Sequence, residues 1–235
     1  MSETLIEIGK HIRSFRKMRH MTLEDMSKII CKSKATISKY EKGEIAIDVE
    51  TLYELANALN VHVEQLLYCP PGRVPISASA NHPAFFNGVS YFFSYLFDGR
   101  NHQIIRCRFD VLSKTETNQY KVMMYMNFKD YDKYQLCENI YWGYIEHYDA
   151  ITNIALTNQD TPMEKASVQI LASYLDADTK WGLWNGFSSR PMMPIATKML
   201  FSKEILKEDY DLAKRLKISK EDIRLLKLYN MLSVT

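Results

Sequence analysis

The sequence predicts an α+β protein with five N-terminal helices, a β-rich antiparallel sheet or partial barrel, and a C-terminal helix. Apolar residues recur at helical spacing in the first part of the chain, alternate with a period of two after about residue 84, and return to helical spacing near the end. Residues 69–83 hold four of the seven prolines, which interrupt helices and strands alike. We therefore expect a domain at 1–68, a linker at 69–83 and a second domain at 84–235.

The first region contains apolar stripes with the spacing of amphipathic helices. The stripes are Leu5, Ile8, Ile12 and Phe15; Leu23, Met26 and Ile30; and Leu52, Leu55, Ala56 and Leu59. Asp48 precedes the third stripe and is a predicted N-cap. A short fifth helix is expected at Val63, Leu66 and Leu67.

The second region alternates apolar with polar residues, as strands with one buried face do. The apolar positions are Val89, Tyr91, Phe93, Tyr95 and Phe97; Ile105, Cys107, Phe109 and Val111; and Tyr120, Val122, Met124, Met126 and Phe128. Asp98-Gly99 is a turn signal, and Thr117-Asn118 separates the second and third runs. Further strand-like runs lie at 140–148, 150–157 and 165–172. Short turns between antiparallel strands favour a curved sheet or a partly closed barrel.

The chain returns to helical spacing near its end. Ser219 and Asp222 have the spacing of a capping box, and Ile223, Leu226 and Tyr229 follow on one face. This pattern predicts a terminal amphipathic helix.

Composition excludes several classes of protein. Net charge is only +2, but residues 10–42 hold ten Lys and Arg against three acidic residues, a local charge of +7. The cysteines at 31, 69, 107 and 137 show no metal-binding spacing, and His102 and His147 lie far apart, so we expect no metal and no cofactor. With no signal peptide or membrane span in the sequence, we expect a cytoplasmic protein.

Residues 22–43, TLEDMSKIICKSKATISKYEKG, combine several requirements of two packed helices joined by a short turn. Thr22 and Ser33 are suited to cap the two helices, and Gly43 is suited to end the second in a left-handed turn. Ser27 is small at the crossing, and the apolar core positions are Met26, Ile30, Ile37 and Tyr40. The segment resembles the helix-turn-helix of the Cro/CI-type (XRE) transcriptional regulators, and the resemblance extends over roughly residues 4–67.

This resemblance implies binding of double-stranded DNA through the second of the two helices. It places Ser33, Lys34, Ala35 and Lys39 at base-facing positions, where lysine can donate to guanine and the alanine methyl can contact thymine. It places Thr22, Thr36, Ser38 and Lys42 near phosphates. Two residues depart from the family pattern: Leu23 replaces a frequent Gln, and Cys31 replaces a frequent turn Gly, which implies positive φ at a non-glycine residue.

The family attaches many different second domains to this region, so the resemblance does not identify residues 84–235. All three tryptophans lie there, within IYWGYIEHY at 140–148 and WGLWNGF at 181–187. The residues at 185–191 are expected to form a loop with two hydroxyls and a guanidinium. From these we predict an effector site formed by Trp181, Trp184, Ser188, Ser189 and Arg190, although aromatic rings also suit a barrel core.

Three hypotheses for the second domain remain open. The first is a small-molecule sensor that controls a transcriptional regulator. The second is an antitoxin-like or partner-binding repressor whose second domain only dimerises. The third is a fused enzyme domain, which no nucleophile–base pair or phosphate-binding loop supports, so we expect no enzyme activity. Because one helix-turn-helix unit reads few base pairs, we also expect a homodimer on a pseudo-palindromic operator, joined through edge strands and the face of Ile223, Leu226 and Tyr229.

Overall fold

The chain divides into two compact units, Met1–Pro71 and Gly72–Thr235. The structure is a computed structural model that describes residues 3–67, 84–115, 119–148, 150–171, 177–189 and 192–234; the side chains of Glu3, Ser189 and Met192 are outside this description. The division falls within the predicted linker, and the linker and the Thr117-Asn118 turn lie outside the described residues. We call residues 3–67 the headpiece and the described residues from 84 onward the barrel unit.

The headpiece consists of five α-helices, as the sequence predicts. They are α1 (Glu3–Met18), α2 (Leu23–Ile29), α3 (Lys34–Glu41), α4 (Val49–Leu59) and α5 (Val63–Leu67). The predicted stripes form its core, with Ile12, Met26 and Leu55 among the residues with no exposed surface. Asp48 caps α4 by accepting a 2.8 Å hydrogen bond from the Thr51 amide, as expected. The short helices are therefore fixed by shared apolar burial and by caps at their starts.

The barrel unit is built around eight antiparallel strands. They are β1 (Tyr91–Asp98), β2 (Gln103–Lys114), β3 (Tyr120–Met126), β4 (Asn139–His147), β5 (Ile151–Asn158), β6 (Lys165–Leu171), β7 (Thr179–Ser189) and β8 (Met192–Ser202). Each strand pairs with the next, and β1 pairs with β8, so the sheet is a closed barrel. The predicted partial barrel is therefore closed, and the edge strands expected for dimerisation are paired with one another.

The last two strands were missed by the period-two pattern. The predicted loop at 185–191 is wrong over Asn185–Ser189, because these residues continue β7 and pair with β8. Gly182 and Gly186 interrupt the alternation in β7, and each lies where side chains occupy the barrel interior. A Cβ on Gly186 would lie 2.6 Å from Nε1 of Trp184, so the tryptophan occupies the space of the missing side chain.

Strand β1 has apolar residues on both of its faces. Phe92 points into the barrel, where it stacks on Phe109 with ring centroids 4.7 Å apart. Phe93 and Tyr95 lie on the other face in an outer cluster with Leu200, Leu212 and Leu216, which is packed by α6 (Tyr210–Leu216). The aromatic alternation of residues 91–97 thus marks the face that receives α6, a helix that the sequence analysis did not predict.

The final helix, α7 (Lys220–Tyr229), begins with the predicted capping box of Ser219 and Asp222. None of its residues is buried, and Lys198 on β8 holds its first turn through a 2.8 Å ion pair with Asp222. No helix in the described part of the chain is long and apolar enough to cross a membrane.

Candidate DNA interface

Helix α3 has one buried face and one polar exposed face. Ile37 and Tyr40 are buried in the headpiece core, and Glu41 is buried beside them. The opposite side presents Lys34, Ala35, Lys39 and Lys42 as exposed residues, with Ser38 half-buried between them. The structure therefore brings the predicted base-facing and phosphate-facing residues of α3 onto one surface, which we call the α3 face.

The start of α3 is fixed by hydroxyl groups. Ser33 Oγ accepts a 3.0 Å hydrogen bond from the Thr36 amide and lies 2.8 Å from Thr36 Oγ1. Both hydroxyls stay near the exposed end of the helix, as the sequence predicts. They hold the first turn of α3 and leave lone pairs and a rotatable proton for a DNA contact.

Thr22 is the N-cap of α2 and is engaged by Asp25. The Thr22 amide and hydroxyl both donate to Asp25 Oδ2 at 2.7 Å, and the Asp25 amide donates to Thr22 Oγ1 at 3.2 Å. The hydrogen bonds from the Thr22 hydroxyl and amide hold the pKa of Asp25 below its ordinary value. A carboxylate thus satisfies the amide at the start of α2, so a phosphate at Thr22 would have to compete with Asp25.

Close backbone contacts and a strained turn set the position of α3. Gly43 has φ +67°, and a Cβ there would lie 2.7 Å from Cα of Ile6, so glycine lets α1 approach the end of α3. Cys31 adopts φ +50°, the left-handed conformation expected for the turn between α2 and α3. Ser27 closes that turn by donating a 2.6 Å hydrogen bond to the Lys32 carbonyl.

A buried ion pair joins α1 to the end of α3. Arg16 Nε donates to Glu41 Oε1 at 2.5 Å, and Arg16 Nη2 donates to Glu41 Oε2 at 3.0 Å. Arg16 also donates to the Met21 carbonyl at 2.8 Å, before α2 begins. Hydrogen bonding to Glu41 raises the pKa of Arg16. The bidentate pair fixes the end of α3 relative to α1, and the hydrogen bond to Met21 fixes the segment before α2.

The lysines of the α3 face differ in their partners. Lys34 Nζ lies 2.7 Å from Glu24 Oε2 on α2, and Lys42 Nζ lies 3.6 Å from Glu44 Oε1. Among the described residues, Lys39 has no ion pair within 4.0 Å. Exposed pairs of this kind are weak and are screened by salt, so all three ammonium groups remain available to DNA.

The structure separates the residues of the predicted effector site. Trp184 is 4% exposed in the barrel interior, where its ring meets Tyr141 edge-on. Trp181 lies on the opposite face of β7, against the outer cluster. Ser188 lies near the end of β7 and accepts a 3.1 Å hydrogen bond from Arg100 Nη1. The Ser189 side chain and Arg190 lie outside the described residues, so only Trp184 and Ser188 remain on one side of the strand.

Some contacts at the interface could not be predicted from the spacing of residues along the sequence. Arg16 and Glu41 are 25 positions apart, and nothing in the order of residues indicates that they pair. Asp25 could have been found, because Thr22 and Asp25 have the spacing of a capping box. Within the described residues, no group of three or more His, Cys, Asp or Glu side chains could hold a metal ion.

Comparison with known proteins agrees with the geometry of the headpiece. The family model described as Helix-turn-helix matches residues 12–66. No curated protein matches the chain.

Several solved structures align with parts of the chain. The S. venezulae BldD DNA-binding domain is 28% identical over 28% of this chain and 100% of its own, with a TM-score of 0.27. An HTH_3 family transcriptional regulator from Vibrio cholerae is 12% identical over 85% of this chain and 89% of its own, with a TM-score of 0.28. FeII HppE is 10% identical over 85% of this chain and 92% of its own, with a TM-score of 0.29.

The assignment of the headpiece depends on the residues that the family model matches. The match at 12–66 covers α2, the turn, α3 and α4 completely, and it includes both members of the Arg16–Glu41 pair. Residues 12–66 therefore form a DNA-binding helix-turn-helix domain of the XRE type.

Proposed function

We propose that the protein is a sequence-specific transcriptional regulator that binds a pseudo-palindromic operator as a homodimer and responds to a small effector. The observation that carries this proposal is the α3 face. Its lysines are exposed, while Ile37 and Tyr40 on the other side of the helix are buried. A helix held in this way can enter the major groove without unfolding any part of the headpiece.

The residues of the α3 face and the nearby threonines have distinct roles in this proposal. Lys34 and Lys39 donate to guanine O6 and N7, and the methyl of Ala35 contacts thymine. Thr36, Ser38 and Lys42 bind phosphates and set the register of the helix in the groove. Thr22 contributes a phosphate contact only where the phosphate displaces its hydroxyl from Asp25.

Selection from a random-sequence duplex pool by the full-length protein tests the function directly. We expect one palindromic sequence to be enriched, with half-sites about one helical turn apart. Lys42→Ala should weaken binding to the selected and to a scrambled duplex equally, and should reduce the salt slope by about one. Enrichment of no sequence by the wild-type protein contradicts the proposed function.

The proposed dimer forms through α7. The closed barrel pairs all of its strands, so we assign the dimer contact to the apolar helix face of Ile223, Leu226 and Tyr229, which are 44%, 42% and 55% exposed. Two copies related by a two-fold axis would bury this face and present two α3 faces to the two half-sites. A regulator with an isolated headpiece would make too few contacts for tight specific binding.

Light scattering on the full-length protein tests this assignment. We expect the wild type to be a dimer at micromolar concentration and Leu226→Glu to be a monomer. Arg224→Glu, two positions away and on the opposite side of the same helix, should remain a dimer. A monomeric wild type, or a Leu226→Glu variant that stays dimeric, contradicts the role of α7.

The effector site is proposed near the end of β7. Support comes from the hydrogen bond between Arg100 and Ser188, which brings a guanidinium and a hydroxyl together, a combination that suits an anionic group. Arg100 also forms a 2.9 Å ion pair with Asp98, so a bound anion must displace that carboxylate. A thermal-shift screen of small anionic metabolites on the full-length protein tests it. A compound that stabilises the wild type and not Arg100→Ala supports the site, and equal stabilisation of both proteins contradicts it.

A further inference from the structure

A carboxylate from a different helix lies beside the α3 face. Glu24, the second residue of α2, places Oε2 2.7 Å from Lys34 Nζ and Oε1 3.4 Å from Lys28 Nζ. Both side chains of the Glu24–Lys34 pair are more than half exposed, at 51% and 58%. The carboxylate therefore lies in solvent beside the first residue of the recognition helix, where base contacts are expected to form.

This carboxylate is ionised at neutral pH. Hydrogen bonding from Lys34 is the main reason that the pKa of Glu24 lies below its ordinary value, and Lys28 acts in the same direction. A negative charge on a DNA-binding surface repels phosphates, so it opposes every binding mode in which α2 and α3 approach the backbone. It also provides Lys34 with an acceptor when no base is available.

We propose that Glu24 competes with guanine for the Lys34 ammonium, so that it lowers the affinity of the protein for its operator more than its affinity for other sequences. This inference rests on the proposed sequence-specific DNA binding and goes one step beyond it. It assigns to α2 a residue that limits operator affinity. Without the Glu24 carboxylate, the recognition helix would bind its operator more tightly and discriminate more.

The physical basis is a difference between two bound states. On a non-matching duplex, Lys34 either stays with Glu24 or leaves it for a phosphate, and the carboxylate remains close to the DNA in both cases. On a matching duplex, Lys34 donates to guanine O6 and N7 and must give up the ion pair completely. A non-matching duplex can leave the pair intact, so Glu24 costs the matching complex more, whereas its repulsion of phosphates is common to both complexes.

The test measures binding of the full-length protein to the duplex selected by the wild type and to a scrambled duplex, at two salt concentrations. Glu24→Gln keeps the size of the side chain and removes its charge. We expect it to bind the selected duplex several-fold more tightly and the scrambled duplex with a smaller gain. The ratio of the affinity for the selected duplex to that for the scrambled duplex should therefore rise.

Glu7→Gln is the matched control. Glu7 also forms an exposed ion pair, 2.6 Å from Lys10 on α1, and its substitution makes the same change in net charge. Lysine and glutamate in this pair lie on one helix, and neither belongs to the α3 face. Glu7→Gln should leave the affinity ratio at the wild-type value.

Repeating Glu24→Gln in a Lys34→Ala background separates coupling to Lys34 from simple repulsion of phosphates. The effect of Glu24→Gln on the ratio should shrink when Lys34 is absent. An equal effect in both backgrounds overturns the proposal, as does a wild-type ratio in Glu24→Gln or an equal rise in Glu7→Gln. A wild-type protein that selects no duplex at all would instead overturn the proposed function, so the two failures are distinguishable.

Discussion

The headpiece and the barrel unit differ in how many sides of an element are buried. Helix α3 buries apolar residues on one side and leaves lysines in solvent on the other. Strand β1 buries both sides, with Phe92 in the barrel and Phe93 beneath α6. Polar chemistry in the headpiece is therefore available to a partner, whereas much of the aromatic chemistry of the barrel unit is occupied by packing. Composition indicates function only where the fold leaves the side chains accessible.

The largest effects are expected in the barrel unit, where both faces of β1 are apolar. Phe92→Ala and Phe93→Ala should each lower the free energy of unfolding by about 3–5 kcal/mol, because each leaves a cavity on its own side of the strand. Tyr91→Ala, at a position 40% exposed, is the control and should cost far less. Denaturant unfolding followed by tryptophan fluorescence measures this unit alone, since all three tryptophans lie in it. A small cost for Phe93→Ala would show that α6 does not cover the outer face.

The headpiece is expected to unfold independently of the barrel unit. Glu41→Gln should destabilise it by about 3–5 kcal/mol, because it leaves the buried Arg16 guanidinium without its carboxylate. The far-UV circular dichroism transition of the helices should shift, and the tryptophan fluorescence transition should not. Glu44→Gln, which removes an exposed partner of Lys42, should shift neither transition. Equal shifts in both signals would mean that the two units unfold together.

The lysines of the α3 face should have unequal effects on operator affinity. Lys39→Ala should cost about 1–3 kcal/mol as the loss of a specific base contact. Lys34→Ala should cost less, because Lys34 must first give up its 2.7 Å pair with Glu24. Fluorescence anisotropy with the selected duplex measures both. Unchanged affinity and specificity in both variants would show that α3 is not the reading helix.

The smallest effect concerns acid stability of the headpiece. The Thr51 amide and hydroxyl hold the pKa of Asp48 below its ordinary value, so the charged cap stabilises the fold above an ordinary pKa of about 3.9. That contribution is lost as the pH falls through the lowered pKa. Asp48→Asn keeps a capping oxygen but does not titrate, so it should change little at pH 7 and weaken the loss of helicity in acid.

Circular dichroism in a pH series measures this difference. Glu54→Gln, which removes an exposed carboxylate later in α4, serves as the control and should follow the wild type. An acid transition in Asp48→Asn that matches the wild type would assign the pH dependence to other carboxylates.

The sequence was informative wherever local spacing determines structure. Asp48, Ser219 and Gly43 were predicted from their immediate neighbours, because a cap or a left-handed turn needs only a few residues. Strands β7 and β8 were not predicted, since Gly182, Gly186 and Pro194 interrupt their alternation. Helix α6 was also missed, because it is short and its apolar residues are buried only by packing against the outer face of β1.

The residues of the candidate sites were likewise predicted correctly only where they lie in one local motif. The α3 face follows from one continuous motif, and the structure brings its predicted residues together. The effector residues were grouped by nearness in the sequence, but Trp181 and Trp184 are three positions apart in a strand and so point to opposite sides. The Arg16–Glu41 and Arg100–Ser188 contacts join distant segments and depend on tertiary structure that sequence spacing does not contain.

The pairing of β1 with β8 has a consequence for the order in which the protein forms. Tyr95 pairs with Leu200, so the barrel closes only when strands separated by most of the unit's length meet. Loop closure over such a distance slows folding, whereas helical contacts within short segments form quickly. During synthesis the headpiece can therefore be complete while the barrel is still an open sheet. Until β8 arrives, the phenylalanines of β1 remain exposed on a nascent chain, and that interval is when chaperones would have the greatest effect on yield.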